Sequence, residues 1–340
     1  YMFINNNISF LRNTAVRFGQ TAQSPAANSA ENTNNGEYRQ KTLYGNDFHG
    51  HFKAFRKFKT VSDRFKLQNP NGDVILSGDE WVGANREKNI AIVKMMNMCN
   101  LTATAPGNHN MDYKGAFGLS EMLDFAKFKT LALNLLPKDN TKIASYSLKD
   151  DVDAGRLASS MIVEENGKKI GYIGLAPSDL FSRLSTQSQE GAKDIRIMNL
   201  AETEAALNNE VAKLEKQGVN IIKLVSHMGK DAAVQIAQRV GGIDVINDGH
   251  SHDNLDGLVY GKNLFKSPRG EWVVITQAGK NGHSYGILDV VYDKFGRIIK
   301  AKNELKSLDN ERENLAVKTM ENIALGEPEN LSLIHISEPT

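Results

Sequence analysis

Short apolar runs that each stop where polar residues begin constrain this chain more than any other feature. They are DVILSG (73–78), ATAPGN (103–108), KIGYIGLA (169–176), VNIIKLVSH (219–227) and IDVINDGH (243–250). Runs of this length, rich in β-branched residues and closed by Gly, Asn or His, read as strands. Helical blocks lie between them. NLAETEAALNNEVAKLEKQG puts Leu207, Val211 and Leu214 on one face, offers Asn199 as an N-cap three residues before Glu202, and closes at Gly218. DAAVQIAQRVGG repeats the device, with Ala233, Ile236, Ala237 and Val240 as its stripe and Gly241 as its stop. This alternation predicts α/β layers, with functional groups collected in the loops past the carboxyl ends of the strands. The run 273–305 alternates apolar and polar residues around a DKFG turn, which predicts an antiparallel hairpin and hence a mixed sheet.

At 340 residues, 40% hydrophobic and 24% charged, the chain can bury a large core as one big domain or two. Lys+Arg is 41 against Asp+Glu 40, so no bulk charge argues for nucleic acid or a membrane surface. No run approaches the length of a membrane span, and YMFINNNISFLRNTAVRFGQ at the amino terminus has no continuous apolar core of the export-signal kind. Cys99 is the single cysteine, which excludes an internal disulfide and a cysteine-based zinc knuckle; its surroundings, IVKMMNMCN, read as a buried helix face. Residues 1–41, rich in Asn, Ser, Ala, Gln and Thr without periodicity, predict a disordered lead-in, with the fold starting near Thr42.

Five polar clusters fall at strand ends: Asp47 and His49 in NDFHG, Asp79 in SGD, Asn108 and His109 in PGNHNMD, His227 in VSHMG, and His250 and His252 in DGHSH. Any one alone is more simply a polar loop or a satisfied histidine. Two residues apart on an extended chain, Asp47 and His49 project to the same side and could share one ion. With His109 set aside, the clusters supply two carboxylates, one amide oxygen and four imidazoles, enough for two divalent ions if one carboxylate bridges them. Such a pair of metals suits displacement at phosphorus or a similar centre, clamping the attacking and leaving oxygens and lowering the pKa of a bound water.

Taken in order, NDFHGHF, SGD, GNHNMD, SHMG and GHSH resemble the five motifs of the calcineurin-like metallophosphoesterases, specifically the 5'-nucleotidase and UDP-sugar hydrolase branch, over roughly residues 42–305. TLALNLLP, GKKIGYIGLAPSD and ITQAGKNGHSYGILDVVYD fit the same branch. The resemblance implies a four-layer αββα sandwich of two mixed sheets between helices. It implies one ion held by Asp47, His49, Asp79 and His252, and another by Asp79, Asn108, His227 and His250, so that Asp79 is the bridge. It makes His109 the residue that neutralises the transition state and protonates the leaving oxygen, and Asp112 the carboxylate that orients and charges it. Asn108 and His109 are then also the substrate-binding candidates. Asn110 stands where the branch usually has an acidic residue, which leaves the orientation of the neighbouring ligands open. Trp81 and Arg86 follow the bridging aspartate closely, but core packing and a solvated helix start explain them equally well. His51 faces away from His49, and His283 and His335 lie outside the motifs; none of these is a site candidate.

The expected organisation is a lead-in (1–41), a catalytic domain (42–306) and a linker-like helix with a short tail (307–340), without the second domain of the 5'-nucleotidases. The helix is expected from a cap near Ser307 or Asp309 to a stop at Gly326. The expected activity is dinuclear, metal-dependent hydrolysis of nucleotide phosphoesters, with Mn, Zn, Fe or Co as suitable ions. The alternatives are the same chemistry on cyclic nucleotides, other small phosphoesters or thiosulfonates, and a non-catalytic metal- or ligand-binding module. The partner is a small-molecule phosphoester rather than nucleic acid. Oligomeric state and compartment stay open, although members of the resembled family are mostly exported or cell-surface proteins.

Overall fold

The computed structural model of the chain describes residues 16–17, 36–138 and 147–326. Most of the expected lead-in, the tail beyond 326 and His335 lie outside the described residues. Numbered along the chain, an eight-stranded sheet runs in the order β1 (Val16–Arg17), β16 (Ile298–Ser307), β15 (Ser284–Tyr292), β2 (Tyr38–Gly45), β3 (Asp73–Leu76), β4 (Ala103–Thr104), β5 (Lys129–Leu131), β7 (Leu157–Ala158). From β2 to β7 the pairing is parallel, while β15 pairs antiparallel with both β2 and β16. A six-stranded sheet runs β13 (Leu264–Lys266), β14 (Trp272–Thr276), β12 (Val245–Asn247), β11 (Ile221–Ser226), β9 (Lys168–Leu175), β8 (Ser160–Glu165), with antiparallel strands at its two edges. A small ribbon joins β6 (Leu135–Pro137) to β10 (Ile195–Ile197).

Helices cover the outer faces. α1 (Phe52–Gln68), α2 (Arg86–Met96), α3 (Gly115–Phe125), α4 (Leu148–Asp153) and α9 (Leu315–Leu325) share a core with Leu43, Val74 and Leu76 of the larger sheet. α5 (Leu180–Arg183) and α6 (Thr186–Glu190) are short turns in the chain that follows β9. α7 (Leu200–Lys216) and α8 (Lys230–Arg239) bury Leu207, Val211, Leu214, Ala233, Ile236 and Ala237 against Ile173, Leu175, Ile222 and Ile246 of the smaller sheet. A third core, including Tyr44, Ile75, Leu131, Tyr172, Val225 and Val274, lies between the sheets. The expected helix–sheet–sheet–helix sandwich is therefore present. No described helix is long and apolar enough to cross a membrane.

Three details differ from the sequence reading. The strand β2 begins at Tyr38, ahead of Thr42, because its inward face is polar: Gln40 Nε2 donates to Asp73 Oδ1 at 2.9 Å and Thr42 Oγ1 to Oδ2 at 3.2 Å, a burial that hydrophobicity does not report. Residues 273–305 are split between sheets, with Val273 to Thr276 in the smaller one and only β15 and β16 forming the hairpin in the larger. The intervening QAGKNGH is the crossing. Lastly, α9 is capped by Asn314, whose Oδ1 accepts from Ala316 N and Val317 N, and it ends at Gly326 in the left-handed region, as expected for its stop. Ser307 still belongs to β16. The segment before α9 is packed rather than loose: Lys57 Nζ donates to Asp309 O at 2.6 Å, and Arg56 Nε to Glu313 Oε2 at 2.6 Å.

Candidate metal centre

The parallel strands of both sheets end on one side of the molecule, and their loops carry all five polar clusters. Asp47 and His49 follow β2, Asp79 follows β3, and Asn108 and His109 follow β4. From the smaller sheet, His227 follows β11, and His250 and His252 follow β12. The backbone here is unusual. Asp47, His49, Asp79, His250 and His252 all have φ between +48° and +74°, the left-handed region that non-glycine residues seldom adopt. Such conformations cost free energy and persist where the surroundings enforce them. Enforcement is visible: Asp47 N donates to Gly78 O at 3.0 Å, His49 N to Asp79 O at 2.8 Å, His109 N to Asp79 Oδ1 at 2.7 Å, and His250 N to Asp47 Oδ2 at 3.0 Å. The motif glycines permit the crowding. A Cβ on Gly107 would sit 2.1 Å from Asp79 Oδ1, and one on Gly78 2.4 Å from His227 Nδ1.

The side chains converge. Asp47, His49 and His252 place one potential ligand atom each within 4.8 Å of one another, as do Asp79, His227 and His250. His227 Nε2 lies 3.1 Å from Asp79 Oδ2 and 3.7 Å from Asp47 Oδ1, so the two groups adjoin. His252 Nε2 is 3.1 Å from Asp47 Oδ1, and His49 Nε2 is 3.6 Å from Asp47 Oδ1 and 3.7 Å from Asp79 Oδ2. Asp47 Oδ1, His49 Nε2, Asn108 Oδ1 and His227 Nε2 are buried and make no well-aligned hydrogen bond, with other ligand candidates close by, as where His252 Nε2 lies 3.1 Å from Asp47 Oδ1 and Asp79 Oδ2 3.1 Å from His227 Nε2. Buried polar atoms left unsatisfied are costly, and three of these converge, His49 Nε2 and His227 Nε2 lying 3.6 and 3.7 Å from Asp47 Oδ1, which fits a divalent cation; Asn108 Oδ1 is the fourth, on the loop past β4. The donors, imidazole nitrogen and carboxylate or amide oxygen, suit a transition metal of intermediate softness.

Electrostatics agree with that fit. Burial opposes ionisation of Asp47 and Asp79, yet His227 and the other imidazoles hold both carboxyls below their ordinary range. Burial likewise opposes charge on His227, but the Asp79 and Asp47 carboxylates push it up to about 10. The same two carboxylates that favour charge on this ring would favour a cation bound beside it, to which the ring would donate as neutral imidazole. At the rim, His109 Nδ1 is 2.8 Å from Asp112 Oδ2, and that hydrogen bond, against partial burial, raises the histidine pKa. Asp112 is itself fixed by Gly83 N at 2.8 Å. The His109 side chain is 38% exposed, so a ligand can reach it, and its ring centroid lies 5.3 Å from that of His49. His109 also falls within 4.8 Å of ligand atoms of His49 and Asp79.

The residues set aside earlier lie elsewhere or act otherwise. Trp81 is buried and donates from Nε1 to Asn110 O at 3.2 Å, while Arg86 bonds Glu121. His51 is exposed just before α1, and His283 pairs with Asp309 at 3.1 Å on the surface. Burial pushes the Cys99 thiol up to about 12. Asn110 accepts through Oδ1 from Asp79 N at 3.1 Å and Gly107 N at 2.7 Å, a task for which an amide oxygen serves as a carboxylate oxygen would. Two residues went unnoticed in the sequence: Asn281, whose Oδ1 is 2.8 Å from His49 Nδ1, and Asp179, whose carboxylate is 3.2 Å from His250 Nε2. Their only signal was position in a strand-end loop.

No family model matches the chain. It is 30% identical over 284 residues to a protein of Treponema pallidum (strain Nichols) named "Probable 5'-nucleotidase", an alignment that takes in 77% of this chain and 45% of that protein. The chain thus spans less than half the length of this curated relative. Among solved structures, a 5'-nucleotidase precursor from Thermus thermophilus superposes with a TM-score of 0.71 at 23% identity, over 85% of this chain and 59% of that one. The calcineurin-like phosphoesterase YfkN from Bacillus subtilis superposes with a TM-score of 0.64 at 18% identity, over 85% of this chain and 97% of that one. At these identities the two structures speak for the fold alone.

Proposed function

We propose, from the premise that this chain belongs to the 5'-nucleotidase branch of the calcineurin-like metallophosphoesterases, that it hydrolyses nucleotide phosphoesters at a dinuclear metal centre. The observation that carries this reading is the set of four unsatisfied buried atoms, drawn from loops of both sheets, beside a rim-exposed His109–Asp112 pair. Asp47, His49, Asp79 and His252 would hold one ion, and Asp79, Asn108, His227 and His250 the other, with Mn, Zn, Fe or Co all compatible with the donors. When bound, two such ions supply Lewis acidity and an activated water near neutral pH.

The chain's own groups do the rest. Asn108 and His109 face the phosphoryl group, and His109 carries on Nε2 the proton that the leaving oxygen needs. Asp112 fixes the ring through Nδ1 and keeps it protonated at higher pH than an isolated imidazole. Backbone N–H bonds from His109 and His250 hold the Asp79 and Asp47 carboxylates in place, so their geometry does not depend on the substrate.

The test is hydrolysis of AMP and bis-p-nitrophenyl phosphate by the chelated chain after return of Mn, Zn or Co, beside His109→Ala. Turnover restored by metal and reduced about 10²- to 10⁴-fold by the substitution is expected. Ions bound without turnover of either substrate would overturn the hydrolase reading and favour a binding module. Turnover of the diester but not of AMP would move the substrate class away from nucleotides.

A further inference from the structure

A histidine that binds a metal through one ring nitrogen takes its tautomer and orientation from whatever holds the other. Among the candidate ligands, His49 presents Nδ1 to Asn281 Oδ1 at 2.8 Å, and His227 presents Nδ1 to the carbonyl of Ser77 at 2.5 Å. Both of those oxygens are neutral. His250 differs, because its Nε2 faces a carboxylate, 3.2 Å from Asp179 Oδ1 and 3.4 Å from Oδ2. With Nε2 engaged, Nδ1 is the nitrogen left for an ion shared with Asp79 and His227. Asp179 stands on the loop past β9, the one parallel strand next to β11 whose loop carries none of the five motifs. It is steadied in turn by Arg183, whose Nε donates to Oδ2 at 2.7 Å.

We propose that Asp179 is a positioning residue for the ion held by Asp79, Asn108, His227 and His250, fixing His250 with its proton on Nε2 and strengthening Nδ1 as a donor. This rests on the two-ion reading above. A charged backing group makes an imidazole a better ligand than an amide or a carbonyl does. On this reading Asp179 acts on only one of the two ions.

The experiment is calorimetric titration of Mn²⁺ into the full, chelator-stripped chain, for wild type, Asp179→Asn, Asp179→Glu, His250→Ala and the double variant Asp179→Asn/His250→Ala, with thermal unfolding of each metal-free protein. Wild type is expected to show two binding events. Asp179→Asn should weaken one by about 10- to 100-fold and leave the other unchanged, and Asp179→Glu should recover part of the loss. In the His250→Ala background, Asp179→Asn should add nothing. Two wild-type events that Asp179→Asn leaves untouched would overturn the positioning role while the two-ion reading stands. Equal weakening of both events with a lowered metal-free Tm would overturn it in favour of a structural role for the loop. A wild-type chain that takes up no ion would overturn the two-ion reading and this proposal with it.

Discussion

At the scale of single residues, the proposed function divides one task between His109 as proton carrier and Asp112 as the charge that keeps the proton there. The Asp112 hydrogen bond raises the His109 pKa, so the protonated form survives to higher pH. If His109 acts as the acid, kcat falls as pH rises through that raised pKa. Asp112→Asn removes the charge, lowers the His109 pKa and should shift the basic limb of the kcat–pH profile to lower pH, measured on the Mn-loaded chain. A basic limb that does not move would show that His109 is not the group titrating there. The candidate residues that the fold brings together stood out in the sequence because each sits in a short motif with a fixed place relative to a strand end. Asp179 and Asn281 did not, because their contacts join loops far apart in the sequence: Asn281 is 232 positions from His49, and Asp179 is 71 from His250. Asn110 was legible as a departure but not as a function, since its two backbone partners appear only in the folded loop.

At the scale of elements, α7 and α8 were readable from their apolar stripes and stops, whereas α1 and α3 were not singled out. α7 carries the capping box foreseen from Asn199 and Glu202, with Glu202 N donating to Asn199 Oδ1 and Asn199 N to the Glu202 carboxylate. Asn199→Ala should destabilise the protein by about 1 kcal/mol in urea unfolding. A change near zero would mean that packing of Leu207, Val211 and Leu214 alone sets the start of this helix. The strands were readable as elements but not as partners. Local periodicity marks the late run as extended, whereas the change of sheet between Thr276 and Ser284 depends on which sheet has a free edge, information that no local window contains.

At the scale of the whole molecule, the two sheets are joined by a buried polar network as well as by apolar packing. Lys223, 1% exposed, reaches from the smaller sheet to Asp73 Oδ2 at 2.5 Å and Thr42 Oγ1 at 2.9 Å, and Tyr172 donates to Asp73 Oδ1 at 2.5 Å. Breaking one side of such a pair strands the other charge. Lys223→Met should therefore cost roughly 3–5 kcal/mol of stability, and Lys223→Met/Asp73→Asn less than that, in equilibrium unfolding. A double variant as unstable as the single would show that the charge pair is not the source. The pairing of β2 with β15 matters in another way, because it is a matter of timing. Their sequence positions differ by about 240 residues, so at about 5–20 residues per second a ribosome takes roughly 12–48 s to supply the partner of a strand it has already released. For that interval the edge of β2 that β15 will occupy has no partner, the kind of unpaired edge at which another chain can add.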